Sequence, residues 1–284
     1  MYILRNNKVY TIDGKHVTSK NIIEQIKKIY VPPAYKQVVY HLEKDLLAVG
    51  TDKKGRKQYI YSQKHKDSRH SKRSKIVSKV NKCISKILTK ITRDLSSSTS
   101  SIEERECAAI VMLILLCNFR IGTESYAKEY KHYGITTLQP KHLKFTPTKL
   151  HISFIGKKGI QNTSSIENRK LIKFIKNLYK QNKKDGRIFT VTSSIVNDYL
   201  SQFIITCKEL RTWNANKIYI ELFLKHYKQH KPKEILKVVA QQLHNTPTVC
   251  KNSYLIKGIL DDSLTQKILQ NKSKSVYQII DAII

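Results

Sequence analysis

An α+β fold is expected for this chain: a small β-rich N-terminal domain over residues 1–68, then a larger, mainly α-helical domain over 69–284 that carries a β-hairpin. Three observations predict it. Residues 1–65 run mainly as short period-two segments between turn residues. From residue 76 onward apolar positions recur at helical spacing. Around residues 142–159 the period returns to two, next to a Gly-Lys-Lys-Gly turn.

The elements follow in order. Tyr2, Ile3 and Leu4, then Val9, Tyr10 and Thr11, flank an Asn-Asn-Lys turn. Residues 22–29 read as one short helix, ended by Pro32 and Pro33. A clearer hairpin pairs 46–50 with 56–62 across the turn 51–55, so that Tyr59 and Tyr61 share one face and Ile60 takes the other. The polar stretch 64–74 reads as an interdomain loop. Ile76, Val80, Ile84, Ile87, Leu88 and Ile91 then form an apolar stripe, with Lys75, Lys79, Lys82, Lys86 and Lys90 opposite it: an amphipathic helix with a basic face. After the polar loop 94–101, Glu103 and Glu104 place acids in the first turn of another helix, whose core is the apolar run 110–116. A hairpin is expected over 142–155, then helices over 169–182, 194–207, 212–228 and 232–243, with shorter pieces around Tyr254 and Tyr277.

The charge balance narrows the partners. Lys and Arg number 53 against 21 Asp and Glu, a formal charge of +32. Such an excess repels itself unless it meets a polyanion, and nucleic acid is the first candidate. The longest apolar run, 110–116, falls far short of the ~18–20 residues of a membrane span, so no membrane role is expected. The N-terminus lacks a secretory apolar region, and the five cysteines are odd in number and scattered; an intracellular, unsecreted protein fits. His226 and His230 have the spacing of a zinc pair, but no Glu follows the first and lysines surround both, so no metal is expected there.

Five residues carry a chemistry. Tyr254 lies nine positions after Asn245, and upstream stand Arg120 in Phe-Arg-Ile-Gly, Lys157 in Phe-Ile-Gly-Lys and Arg211 in Leu-Arg-Thr. A tyrosine is a poor nucleophile near neutrality, since a free phenol has a pKa near ~10. It attacks a phosphodiester when the site steadies the phenolate and the phosphorane that follows. Arginine forks suit the non-bridging oxygens. A lysine among other cations can protonate the leaving oxygen. The set needs no metal and no nucleotide, and no Walker-type phosphate loop is present. Singly each residue has a bland reading: Arg120 as a helix cap, Lys157 as a solvated turn, Arg211 as a partner of Glu209 or Glu221, Tyr254 as one of 16 tyrosines.

Their joint order, with these flanking words and Asn-Thr-Pro-Thr-Val-Cys-Lys-Asn-Ser-Tyr at 245–254, resembles the type IB DNA topoisomerases of the small poxvirus and bacterial kind. The resemblance spans roughly 53–255. It implies the catalytic fold shared by tyrosine recombinases and type IB topoisomerases. It implies Tyr254 as nucleophile, forming a 3′-phosphotyrosine, with Arg120, Lys157, Arg211 and Asn245 assisting, and ATP-independent relaxation of supercoiled DNA. It also implies a monomer that closes around double-stranded DNA as a clamp. Gly55 to Tyr61 resembles the family's major-groove element: Gln58 and Tyr59 to read base edges, Arg56 and Tyr61 to hold phosphates. Tyr126 matches a DNA-contacting tyrosine, and Lys208 is the remaining candidate DNA contact.

Two departures stand out. Position 245 is Asn, as in the bacterial relatives, where poxvirus enzymes have His, and His244 occupies a position usually Gly. Lys158 follows Lys157 where poxvirus enzymes have Asp. The nearest alternative is a tyrosine site-specific recombinase, but those enzymes usually carry His three residues before the second arginine, where this chain has Lys208. A non-enzymatic DNA-packaging protein is the alternative from another class; it predicts salt-sensitive binding without a covalent adduct.

Overall fold

The computed structural model describes residues 1–42, 45–53, 55–182 and 186–284. The chain divides into two compact units, Met1–Lys72 and Arg73–Ile284.

The first unit is a five-stranded antiparallel sheet with one helix. Strands β1 (Tyr2–Arg5), β2 (Lys8–Thr11), β3 (Lys36–Tyr40), β4 (Leu46–Thr51) and β5 (Lys57–Tyr61) lie in the order β2-β1-β3-β4-β5. Helix α1 spans Lys20–Lys28. Asn6 and Asn7 both take positive φ, +47° and +62°, the twist a two-residue hairpin loop requires. Val9, Val17, Ile26, Tyr40 and Ala48 form the small core. Strand β3 escaped the period-two reading for a local reason. Gln37 has φ +52° and the register to β4 shifts between Lys36 and Val39, a bulge that breaks the alternation. Strand β5 is an edge, and its turn from β4 includes Lys54, which lies outside the described residues.

Residues 64–74 are not a loop. They belong to α2, Gln63–Ser96, which runs on without a break because neither Gly nor Pro interrupts it. Of the expected stripe, Val80, Ile84, Ile87 and Ile91 are buried, Ile76 is half-buried and Leu88 is exposed; Arg73 is buried too.

In the second unit α3 (Ile102–Cys117) starts at a capping box in which Ser101 and Glu104 satisfy each other's backbone N–H. Helix α4 covers Glu124–Tyr130. Strands β6 (Leu143–Phe145), β7 (Leu150–Ile155) and β8 (Gln161–Ile166) form an antiparallel sheet in that order. The polar sequence of β8 gave no alternation to read. Helices α5 (Arg169–Gln181), α6 (Ser193–Ser201), α7 (Cys207–His226), α8 (Pro232–Gln242), α9 (Pro247–Ser253), α10 (Asp262–Gln270) and α11 (Val276–Ile283) follow. The expected helix over 194–207 is two elements: Ile204 takes φ +57°, and a capping box between Thr206 and Glu209 starts α7 five residues earlier than residue 212. Trp213 and Tyr219 on α7 are fully buried with Phe119, Ile110 and Leu113, so α7 runs through the middle of this core. Among the described residues no helix is long and apolar enough to cross a membrane.

Candidate active site

Arg120 owes its place to the way α3 ends. Asn118 adopts a left-handed φ of +55°, which turns the chain sharply and sends Phe119 into the core. The next two residues are pinned to a second strip of backbone: Ile135 N–H donates to the Arg120 carbonyl at 3.0 Å and Thr136 N–H to that of Ile121 at 2.9 Å. The two strips touch at glycines. A Cβ on Gly134 would lie 2.4 Å from the Gly122 Cα and 2.7 Å from the Arg120 carbonyl oxygen, so only hydrogen fits there.

Arg211 stands on the second turn of α7 and is only 4% exposed. Its Nε donates to the Asn118 carbonyl at 2.7 Å and its Nη2 to the Leu243 carbonyl at 2.5 Å. Its Nη1 donates to the Tyr254 hydroxyl, and the guanidinium carbon lies 4.7 Å from the centre of that ring. One side chain therefore ties together the ends of α3, α8 and α9. Three of a guanidinium's five N–H groups are used, and the other two remain for a ligand oxygen. Burial pulls Arg211 down to about 10; the Tyr254 hydroxyl opposes that and the charge of Arg120 adds to it. It is still a cation at neutral pH.

Tyr254 is the residue that ends α9. Its backbone is held from both sides. Asn216 Nδ2 donates to the Tyr254 carbonyl at 2.9 Å, and Asn216 Oδ1 accepts from Ile256 N–H at 3.0 Å. Arg73 donates to the carbonyls of Leu255 at 2.6 Å and Asn252 at 2.5 Å, capping the same helix end with a cation.

Asn245 and His244 point to different partners. Asn245 Oδ1 accepts from Arg120 Nη2 at 2.6 Å, and its Nδ2 donates to the Leu243 carbonyl at 3.0 Å. His244 takes φ +51°, a conformation that explains why glycine suits the position. Its ring lies 5.1 Å from that of Phe119, with Nε2 3.2 Å from the Cys117 carbonyl. Burial lowers its pKa, the Cys117 carbonyl opposes this, and Arg211 and Arg120 lower it further.

Lys157 opens the turn between β7 and β8, where Lys158 and Gly159 both have positive φ. The turn is compact: Gly156 N–H donates to the Ile160 carbonyl at 2.8 Å, and a Cβ on Gly156 would meet Asn162 Nδ2 at 2.4 Å. A cleft of about 300 Å³ is lined by Phe119, Arg120, Ile121, Lys157, Cys207, Lys208, Arg211 and Tyr254. A larger one, about 880 Å³, is lined by Asn118 and Asn245, which hydrogen-bond to Arg211 and Arg120, but contains neither arginine nor Tyr254. The cations and the Tyr254 hydroxyl converge on the smaller cleft.

The other candidate DNA contacts are placed as follows. Lys208 lines the Tyr254 cleft. Tyr126 is half exposed on α4, with its ring 5.7 Å from that of Tyr130. On β5 Tyr59 is exposed, while Tyr61 stacks on His65 at 4.5 Å. Arg56 and Gln58 are both hydrogen-bonded to Asp52. The reading from sequence missed Arg73, Asn216 and Gly134. Arg73 was hidden in the supposed loop, and a long-range contact leaves no periodic signal for any of the three.

The family model "Eukaryotic DNA topoisomerase I, catalytic core" matches residues 62–282. Mimivirus DNA topoisomerase 1B is 30% identical over 279 residues, covering 89% of this chain and 82% of that protein. Vaccinia virus DNA topoisomerase 1B is 25% identical over 291 residues, covering 93% and 92%. The chain belongs to the type IB DNA topoisomerase family. Among solved structures, the XerH site-specific recombinase bound to a palindromic difH substrate aligns with a TM-score of 0.42 at 14% identity, over 63% of this chain and 50% of that one.

Proposed function

We propose that this protein relaxes supercoiled DNA by transient cleavage of one strand through Tyr254. The phenolic oxygen attacks a backbone phosphorus as its proton leaves to water. The bond from phosphorus to the 5′-oxygen breaks, and Lys157 protonates that oxygen. A 3′-phosphotyrosine and a 5′-hydroxyl result, the free end swivels, and the hydroxyl reverses the reaction. Arg120 and Arg211 hold the non-bridging oxygens, and Asn245 adds a donor while steadying Arg120. The phosphodiester is conserved in the phosphotyrosine, so the cycle needs no ATP; it needs no metal for cleavage. The observation that carries this reading is the Arg211 donor on the Tyr254 hydroxyl, inside a cleft shared with Arg120 and Lys157. A guanidinium so placed also lies within reach of the non-bridging oxygens of a phosphate attacked there.

Residues 1–68 are proposed as a DNA clamp and 69–284 as the catalytic domain, acting inside the cell as a monomer on duplex DNA. Strand β5 is proposed to enter the major groove, with Gln58 and Tyr59 at base edges and Arg56 and Tyr61 at phosphates. Tyr126 and Lys208 are proposed to touch the DNA nearer the cleft.

The test is incubation with supercoiled plasmid in EDTA, followed by trapping with SDS. Relaxation and a covalent adduct are expected from the wild type. Tyr254→Phe should abolish both and leave non-covalent binding within a few-fold, since phosphate contacts dominate affinity. Adduct formation by the mutant would assign the nucleophile elsewhere. Strand exchange between two duplexes in place of relaxation would assign the chain to recombination.

A further inference from the structure

At least four hydrogen bonds converge on the carboxylate of Asp52, below the tip of the β4–β5 hairpin. The Arg56 backbone N–H donates to Oδ1 at 3.0 Å. Arg56 Nε and Nη2 donate to Oδ2 at 2.9 and 2.7 Å, and Gln58 Nε2 donates to the same oxygen at 2.9 Å. The acid sits inside and the guanidinium outside: their side chains are 13% and 58% exposed. The turn is closed around this arrangement, with Asp52 N–H donating to the Arg56 carbonyl and Gly55 N–H to the Asp52 carbonyl, both at 3.0 Å. Gly55 supplies the positive φ, +73°, that the turn requires.

An acid at the root of an element meant for a polyanion works against affinity, so its presence calls for a geometric reason. A free glutamine amide can turn over and offer either its oxygen or its N–H₂ to the same base edge. A carboxylate only accepts. Once Asp52 takes the Nε2 side, the flipped amide would set Oε1 against Oδ2, and the flip is forbidden. The remaining N–H and Oε1 of this half-buried side chain are then held in one order, as a bidentate contact with a base edge demands. The same oxygen occupies the Nε and Nη2 side of the Arg56 fork and leaves Nη1 outside that pair.

We infer that Asp52 is a positioning residue that sets the DNA sequence preference, by holding the Gln58 amide and the Arg56 fork in one orientation on β5. The inference rests on the groove-reading role proposed above for that strand.

Asp52→Asn tests it in the full-length chain. The substitution leaves one acceptor oxygen where the carboxylate had two, so whichever way the amide turns, the Arg56 backbone N–H and the three side-chain donors are no longer all met. The backbone bonds that close the turn are untouched. Cleavage sites on a long duplex are mapped by SDS trapping, and the ratio of adduct at the strongest site to that at weak sites is compared with the wild type. The ratio should fall about tenfold, the discrimination of one bidentate base contact. Binding to random-sequence duplex should tighten, because a negative charge has gone; a hairpin that had merely loosened would bind more weakly. Gln58→Ala should lower the ratio to a similar degree. An unchanged ratio in Asp52→Asn beside a lowered one in Gln58→Ala overturns the positioning role alone. An unchanged ratio in Gln58→Ala overturns the groove-reading role, and this inference with it.

Discussion

Burial and charge are in tension at Arg211. A guanidinium 4% exposed is costly unless its donors are met, and two carbonyls and the Tyr254 hydroxyl meet three of them. The result is a cation that holds its position before any substrate arrives. Lys157 is of another kind, set on a Gly-bounded turn with no such anchoring role. Lys157→Ala should slow single-turnover cleavage by ~10² or more, the range for loss of a general acid. A substrate with a 5′-sulfur leaving group needs no proton and should regain most of that rate; equal defects on both substrates would make Lys157 a phosphate ligand. Asn245 and His244 divide by geometry. Asn245 touches Arg120, whereas the His244 ring lies against Phe119 and the Cys117 carbonyl. Asn245→Ala should therefore lower the cleavage rate ~10²-fold, as for one transition-state donor. His244→Ala should do little to that rate, and the reverse ranking would sink the assignment.

The site is built from the ends of elements. Arg120 follows the C-terminus of α3, Asn245 follows α8, Tyr254 ends α9, and Arg211 lies one turn inside α7. Ends can be aimed by a single residue, and each has its device: Asn118 in the left-handed region, Thr206 with Glu209, Thr246 accepting from Val249 N–H. Some of these were legible. Glu103 and Glu104 marked the start of α3, and the β1–β2, β4–β5 and β6–β7 hairpins were visible as alternation. The break before α7 was not, because it depends on Ile204 entering a conformation that its side chain disfavours. The strip carrying Arg120 depends on a glycine pair. Gly134→Ala forces a methyl to 2.4 Å from the Gly122 Cα, so the two strips must part. The expected cost is about 1–3 kcal/mol of stability, as for overpacking elsewhere, read by urea unfolding. Cleavage should fall further than DNA binding, since the displaced backbone carries Arg120; equal losses in both would mean that the fold, not the arginine, was disturbed.

Over the whole molecule, the charge of +32 sets the partner, and one buried and one half-buried histidine set the acid limit. His142 is 8% exposed, and its Nδ1 accepts from Gln139 N–H at 2.9 Å. Burial, with the charge of Lys141 behind it, pulls His142 down to about 4; His244 is lowered in the same direction, chiefly by burial. Both bind a proton more readily in the unfolded chain, where an imidazole titrates near ~6.5. Their contribution to stability is thus complete above that pH and is lost as pH falls toward the folded values. Unfolding free energy should be lower by ~2 kcal/mol at pH ~5 than at pH ~7.5, and His142→Gln should flatten most of that slope. A wild-type profile that is flat over this window would show that neither imidazole is held neutral.

The sequence by itself determined the family and the partner. Arg120, Lys157, Arg211, Asn245 and Tyr254 each stand in a short local word, and both the order of such words and the excess of lysine can be read along a chain. It determined most of the helices and hairpins too, since period and turn residues are local. The tertiary structure alone decided how those residues are held. Arg73 reaches the Leu255 carbonyl across 182 positions, Arg211 closes on three separate helix ends, and Gly134 meets Gly122. Such contacts are satisfied by single atoms brought together when the core packs, and packing leaves no period in the chain from which they could be foreseen.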